Sequence, residues 1–361
     1  MFFPACILIC THRFHFIAPL LASFILLTGC DENRPWQTDR DSARVGAVDN
    51  GSQQSEQSDA APPIRLSPVA RPCASLAPEN PYVAASHVGV TDVGEEFVFS
   101  GEDAFGSGVE SEGRLADGLL ATPEQGQGIV SILIGLNKGG SNACTGSLIK
   151  DHWVLTAAHC FFNVDDETEA SQSVRVHHGS LKKFGGARVE GVPYCHRDYG
   201  FRSEYYRNDL ALVRLSTPIR EPIMPLVERS SAPMASRSSE TLVSLFGFGL
   251  LTPTQHSRQL MFGEVKSAPS GGTCSRRGVF CTQTTDLFGR RPSSLCPGDS
   301  GGPAKVRQPD GSDRQVGVNS FIFNENGRET ATCGKPGNIS AMVDVRQYLD
   351  WIDMVVSQGR F

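Results

Sequence analysis

The chain is 361 residues long, carries a formal net charge of −6 and devotes 20% of its positions to charged residues and 8% to aromatics. That length allows one large domain or two ordinary ones with tails, and the charge balance excludes a nucleic-acid-binding signature spread over the whole chain. Glycine (37) and proline (22) are plentiful and long helical patterns scarce, which favours an all-β domain with many turns.

Residues 1–30 hold Arg13 as their only formal charge. The apolar run "FIAPLLASFILLTGC" follows the cluster His12, Arg13 and His15. It suits a signal-peptide core and is short for a membrane span. Its end, "L-T-G-C", resembles the bacterial lipobox, in which Cys30 takes lipid and becomes the mature N-terminus; the alternative is an ordinary signal peptide with a chance cysteine. Residues 1–29 are therefore read as a signal peptide. The extra apolar segment "MFFPACILIC" is an overlong leader or follows a misassigned start codon.

Residues 37–81 contain no aromatic residue and are rich in Ser, Gln, Asp and Pro. Such a segment buries too little apolar surface to offset its ordering entropy, so it reads as disordered. Residues 82–114 add strand-like pieces ("EEFVFS") in an acidic context. Across 31–114 there are 15 Asp and Glu against 6 Arg, a net of −9, which leaves +2 for 115–361. The asymmetry falls at "R-L-A-D-G", Arg114 to Gly118. The chain thus divides into a signal peptide (1–29), a lipid-anchored tether or propeptide that is largely disordered (30–114) and a folded domain (115–361).

Beyond the seam come short strand-like runs with turn signals: "GIVSILIG", "TGSLIKDHWVLTAA", "SVRVHHG", "LALVRL", "TLVSLFGFG", "RQVGVNSFIF" and "ISAMVDV". The last segment, "DVRQYLDWIDMVV", places Val345, Tyr348, Leu349, Ile352 and Val356 at helical spacing behind a capping Asp344. Many short strands and one closing helix predict an all-β barrel architecture.

Eleven cysteines less Cys6, Cys10 and Cys30 leave eight, an even number that in an exported chain argues for disulfides. No C-x-x-C pair occurs among the eight, which argues against a zinc ribbon.

Three motifs carry chemistry: "T-A-A-H-C" (Thr156–Cys160), "N-D-L-A-L" (Asn208–Leu212) and "C-P-G-D-S-G-G-P" (Cys296–Pro303). Each alone has an ordinary structural reading as a structural His-Cys, a strand cap or a glycine turn. Together, in the order His, Asp, Ser, they resemble the trypsin/chymotrypsin family of serine endopeptidases over about 115–361. The chemistry accounts for each residue. A serine hydroxyl is a weak nucleophile that needs a base, His159 can take its proton, and Asp209 fixes the imidazole tautomer and stabilises the imidazolium.

The resemblance implies two six-stranded antiparallel β-barrels with a C-terminal helix. It implies an oxyanion hole from the amides of Gly298 and Ser300, and in Ser320 a hydroxyl on the triad aspartate. Three disulfides follow from it: Cys144–Cys160, Cys296–Cys333 and, around an unusually short loop, Cys274–Cys281. By elimination Cys73 and Cys195 join each other or remain free thiols.

The family also explains the seam. A zymogen is cut after a basic residue, here Arg114, and the new apolar N-terminus, here Leu115, folds inward to pair with the aspartate before the nucleophile, Asp299. Leu115 departs from the usual Ile or Val but keeps the apolar bulk. Phe248 stands where the family usually has a tryptophan. Ser180, where calcium-binding relatives carry a glutamate, and the acid-free "SLKKFGGAR" predict no calcium site; neither metal nor cofactor is expected.

The same resemblance implies a primary pocket with its floor at Ser294, Leu295 beside it and walls from Ser320, Phe321, Ile322 and Gly337. An uncharged floor and a branched wall predict cleavage after small or medium apolar residues. Such an enzyme does not cut efficiently after Arg114, so a separate trypsin-like protease is expected to activate it. The remaining expectations are protein or peptide substrates, no nucleic acid, a monomer, and a bacterial cell-envelope lipoprotein held through Cys30, or else a secreted protein. Two alternatives are a catalytically inactive binding protein on the same fold and an adhesion protein that works through its acidic segment.

Overall fold

The computed structural model describes residues 70–76, 118–163, 170–202, 205–236, 240–252, 255–268, 278–282, 293–324, 333, 335 and 337–358. Cys30, Arg114, Leu115 and Cys274 lie outside the described residues. The strands of the first sheet are β1 (Ala70–Pro72), β3 (Ile129–Leu136), β4 (Ser141–Lys150), β5 (Trp153–Thr156), β6 (Ser171–His178), β7 (Ala187–His196) and β10 (Ala211–Leu215). The second sheet takes β2 (Leu119–Leu120), β11 (Leu242–Gly247), β14 (Met261–Lys266), β15 (Val279–Cys281), β16 (Pro303–Arg307), β17 (Asp313–Phe323) and β18 (Ile339–Asp344). Two small ribbons, β8 (Gly200–Arg202) with β9 (Tyr205–Arg207) and β12 (Leu250–Thr252) with β13 (Gln255–His256), stand apart.

The first sheet runs β1-β7-β10-β5-β4-β3-β6, and pairing of β6 with β7 closes six of these strands into a barrel. Alternation sets its interior: Ile132, Ile134, Val174, Val176, Val154 and Val213 share one face across the paired strands and are buried. Each such aliphatic side chain contributes about 1.5–3 kcal/mol on burial. The second sheet runs β15-β18-β17-β16-β11-β14-β2. A bridge between Ser267 and Thr282, with the Ala268 amide donating to the Cys281 carbonyl at 2.7 Å, brings β14 against β15 at the far end. The all-β architecture read from the sequence is thus observed, as one closed six-stranded barrel and a second sheet, consistent with the expected fold.

At the C-terminus Asp344 accepts a hydrogen bond from the Arg346 amide and opens a 3-10 turn, Val345–Tyr348. The helix α1 (Leu349–Gln358) follows, burying Leu349, Trp351, Ile352 and Val355. Among the described residues no helix is long and apolar enough to cross a membrane.

One segment differs from the sequence expectation. Residues 70–76 fall within the stretch read as disordered, yet β1 pairs antiparallel with β7, setting Arg71 opposite Cys195. Cys73 is fully buried, Leu76 is buried, and Cys73 is bonded to Cys195. Local composition reads this stretch as polar chain; the covalent bond and the open flank of β7 order it.

Candidate active site

His159 begins a one-turn 3-10 segment, His159–Phe161, directly after β5. The next residue, Cys160, is bonded to Cys144 on β4. That bridge spans 16 residues and in the chain-entropy model contributes about 3 kcal/mol. Asp209 lies just before β10 and is wholly buried. Its Oδ1 accepts the His159 amide at 2.9 Å, and its Oδ2 pairs with His159 Nδ1 at 2.7 Å. The Ser320 hydroxyl donates to the same Oδ2. Burial opposes ionisation of Asp209, but the charge of His159 and the hydrogen bonds from His159 and Ser320 outweigh it and hold the carboxyl below its ordinary value.

Ser320 reaches that position through a bulge. β17 and β18 pair Asn319 with Met342 but Phe321 with Ala341, so Ser320 is the extra residue, set free of the ladder to point at Asp209.

Ser300 sits in the turn between the Cys296–Cys333 disulfide and β16. Its carbonyl accepts the Thr145 amide of β4 at 2.9 Å and lies 3.9 Å from the sulfur of Cys160. Ser300 and His159 are therefore brought to one seam between the barrels. The turn needs glycine next. Gly301 has φ +81°, and a Cβ there would lie 1.9 Å from Thr156 Oγ1. On the other side of Ser300, Thr145 Oγ1 donates to the Gly298 carbonyl at 2.9 Å.

Asp299, beside Ser300, is buried. Its Oδ1 accepts the Gly249 amide at 2.8 Å and its Oδ2 the Cys296 amide at 2.9 Å. A Cβ on Gly249 would lie 2.5 Å from Oδ1, so this cradle requires glycine. Burial raises the Asp299 pKa to about 7, against the two backbone hydrogen bonds and the charge of Lys183, which lower it.

The expected pocket residues separate into two groups. Ser294, Leu295, Ser320, Phe321 and Ile322 are all buried, with Phe321 and Phe323 in edge contact at 4.8 Å. Gly337 lies in the turn before β18, at φ +80°. The residue opposite Ile322 is Ser340, fully buried, with its Oγ accepting the Leu295 amide at 2.9 Å. Sequence reasoning missed Ser340, because only the β17–β18 register places it there.

The described bridges are Cys73–Cys195, Cys144–Cys160 and Cys296–Cys333. Cys281 is also disulfide-bonded; its expected partner Cys274 lies outside the described residues. Among the described residues no group of three or more His, Cys, Asp or Glu gathers as a metal site.

Residues 121–352 match the family model described as Trypsin. The chain is 30% identical over 270 residues to human Serine protease 56, covering 68% of this chain and 39% of that protein. It is 30% identical over 238 residues to Serine protease SP24D of Anopheles gambiae, covering 63% of this chain and 74% of that protein. It is 28% identical over 255 residues to rat Coagulation factor XII, covering 66% of this chain and 40% of that protein. The chain thus spans about two fifths of the length of two of these relatives.

Proposed function

Since this chain belongs to the trypsin family, we propose that it is a serine endopeptidase acting through His159, Asp209 and Ser300 and an acyl-enzyme intermediate. The observation that carries the reading is the buried Asp209, which holds His159 by both its amide and its Nδ1, on the seam where the Ser300 turn lies. In the reaction His159 takes the Ser300 proton as the hydroxyl attacks the scissile carbonyl. It then gives that proton to the leaving amine, and a water molecule repeats the cycle to release the acid. Asp209 keeps the Nδ1 proton in place and balances the imidazolium. The Gly298 and Ser300 amides receive the developing oxyanion, a contribution of about 3–4 kcal/mol for each donor.

We propose further that the chain is a zymogen cleaved after Arg114. The ammonium of Leu115 would then meet Asp299, whose raised pKa is that of a carboxylate in want of a cation. The Cys73–Cys195 bridge and β1 would keep the upstream segment on the catalytic domain after the cut.

The pocket reading is that Ile322 facing Ser340, over an uncharged Ser294, takes small or medium apolar residues such as Ala, Val, Leu or Met. Activation at Arg114 then falls to a separate trypsin-like protease. Export, with a bacterial-type lipid on Cys30, completes the proposal. The tether in that case ends at residue 69, because Ala70 enters the first sheet.

The test is labelling of Arg114-cleaved protein with a fluorophosphonate, beside a Ser300→Ala variant. Labelling and peptide hydrolysis that both vanish in the variant are expected. A folded, cleaved protein that takes no label is the inactive binding protein instead.

A further inference from the structure

Asn208, the residue before Asp209, is one of two described non-glycine residues with a left-handed backbone, at φ +48°. Asparagine tolerates that conformation better than most residues, but the side chain must be held for the following residue to be aimed reproducibly. Here it is held at both ends. Asn208 Nδ2 donates to the Asp198 carbonyl at 2.8 Å, and Asn208 Oδ1 accepts the Tyr348 hydroxyl at 3.0 Å. The backbone closes tightly over Asp209, with the Leu210 amide on the Asn208 carbonyl at 2.7 Å.

Tyr348 comes from the far end of the chain, at the junction of the 3-10 turn and α1. Its side chain packs beside Gly278 and His196. A Cβ on Gly278, itself at φ +84°, would lie 2.6 Å from the hydroxyl, so the hydroxyl takes the space that a side chain at 278 would need. The ring of His196 stands edge-on to the tyrosine ring at 5.7 Å. Trp351 of α1 packs on the other partner, with its ring 5.3 Å from that of His196. The hydroxyl also feels Asp209. Burial first, and then the charges of Asp209 and Asp344, push its pKa up to about 12, so it remains a hydrogen-bond donor throughout the working range.

We infer that Tyr348 is a positioning residue for Asp209: its hydroxyl fixes Asn208 Oδ1, Asn208 fixes the turn, and the turn sets the carboxylate on His159. The C-terminal helix is thereby coupled to the site in the first barrel. This rests on the triad reading above, and it adds a residue that touches neither substrate nor reacting atoms.

The experiment is Tyr348→Phe, which removes one oxygen and keeps the ring, beside Asn208→Gly, which keeps the left-handed backbone and loses both side-chain hydrogen bonds. In Arg114-cleaved enzyme, Tyr348→Phe is expected to lower kcat about fivefold, the worth of one hydrogen bond, with KM unchanged. Asn208→Gly should do at least as much, and the double variant no more than Asn208→Gly alone. The proton resonance of His159 Nδ1, read by NMR in folded protein whether or not it hydrolyses peptides, should move upfield in both. A resonance that moves in protein without hydrolysis keeps the positioning role and removes the proposed activity. An unmoved resonance with kcat within 1.5-fold of the parent overturns the inference. So does a double variant whose loss is the product of the two single losses.

Discussion

Asp299→Asn in the uncleaved chain isolates the electrostatic latch of the proposed zymogen. Before cleavage Leu115 contributes an amide, not an ammonium, and the buried Asp299 has a pKa of about 7 against 3.8 for an ordinary aspartate. Between those values the folded state holds a proton that the unfolded chain has released. The folded state then binds more protons, so stability falls as pH rises from about 4 to about 7 and is level above that. A shift of about three units corresponds to about 4 kcal/mol across the window.

Asparagine does not titrate, so the variant lacks this slope. It brings a cost of its own, because its NH2 must face the amide of either Gly249 or Cys296, where the carboxylate now accepts from both. That cost is about 1–3 kcal/mol and does not depend on pH. The variant should therefore be less stable than the parent at pH 4.5 and equal or superior at pH 7.5. Urea denaturation of both proteins, each with Ser300→Ala to prevent self-digestion, gives the difference at each pH, and contributions from other titrating groups cancel. A difference constant to within about 0.5 kcal/mol from pH 4.5 to 7.5 would refute the reasoning, because Asp299 would then ionise as it does in water. Cleavage at Arg114 should flatten the parent's slope, since the new ammonium stabilises the carboxylate.

A peptide library on cleaved enzyme should show fastest turnover after small or medium apolar residues, and Ser340→Gly with Ile322→Gly should extend acceptance toward large aromatics; fastest turnover after Arg or Lys in the parent contradicts the pocket reading. Lys305, buried with its Nζ on the Gln125 carbonyl at 2.6 Å and 4.1 Å over the Phe246 ring, has its pKa pushed down to about 8 by burial, with Asp313 opposing and Arg307 assisting. From pH 8 to 10 the unfolded chain then holds the extra proton, so the parent should gain up to about 3 kcal/mol over Lys305→Met in urea denaturation. Replacing Cys30 by Ser should release the protein from membranes, and mass spectra of the parent should carry the lipid. On gels, Arg114-cleaved protein should run as one species until reduced, and as two pieces without reduction in the Cys73→Ser, Cys195→Ser double variant.

Local signals made much of this readable. The stretches around Ile132, Val154, Leu212, Val243, Val318 and Val343 are apolar runs that became β3, β5, β10, β11, β17 and β18. His159, Asp209 and Ser300 each sit in a short motif whose chemistry constrains its neighbours. The strand β7 was not legible, because Gly191 and Pro193 interrupt "ARVEGVPYCH" and its exposed face carries Arg188 and Glu190. β1 was hidden for a different reason. Ala70, Arg71 and Pro72 carry no strand signal of their own, and the bond from the adjacent Cys73 to Cys195, 122 residues on, orders them. Ser340 was obscured by counting. The spacing from "K-P-G" points to Gly337, whereas the β17–β18 ladder, bulged at Ser320, sets Ile322 against Ser340. Asn208 and Tyr348 were visible as letters, the tyrosine even as part of the helix, but their meeting is a tertiary event.

The division of labour between the barrels bears on where latency resides. His159 and Asp209 both belong to the first barrel and are joined by two hydrogen bonds made within it. The Ser300 turn, Asp299 and the residues proposed for the pocket, Ser294, Leu295, Ile322 and Ser340, all belong to the second. From the second barrel and the C-terminal turn, Ser320 reaches across to the carboxylate and Tyr348 to the residue before it. A cation delivered to Asp299 therefore acts on the second barrel, on the turn that presents Ser300 and on the cradle formed by Gly249 and Cys296. The acid–base pair needs no such delivery, since Asp209 is already buried, hydrogen-bonded and held ionised. If cleavage at Arg114 switches this protein on, it does so by setting the proposed oxyanion-binding turn and proposed pocket, while His159 and Asp209 stand assembled beforehand.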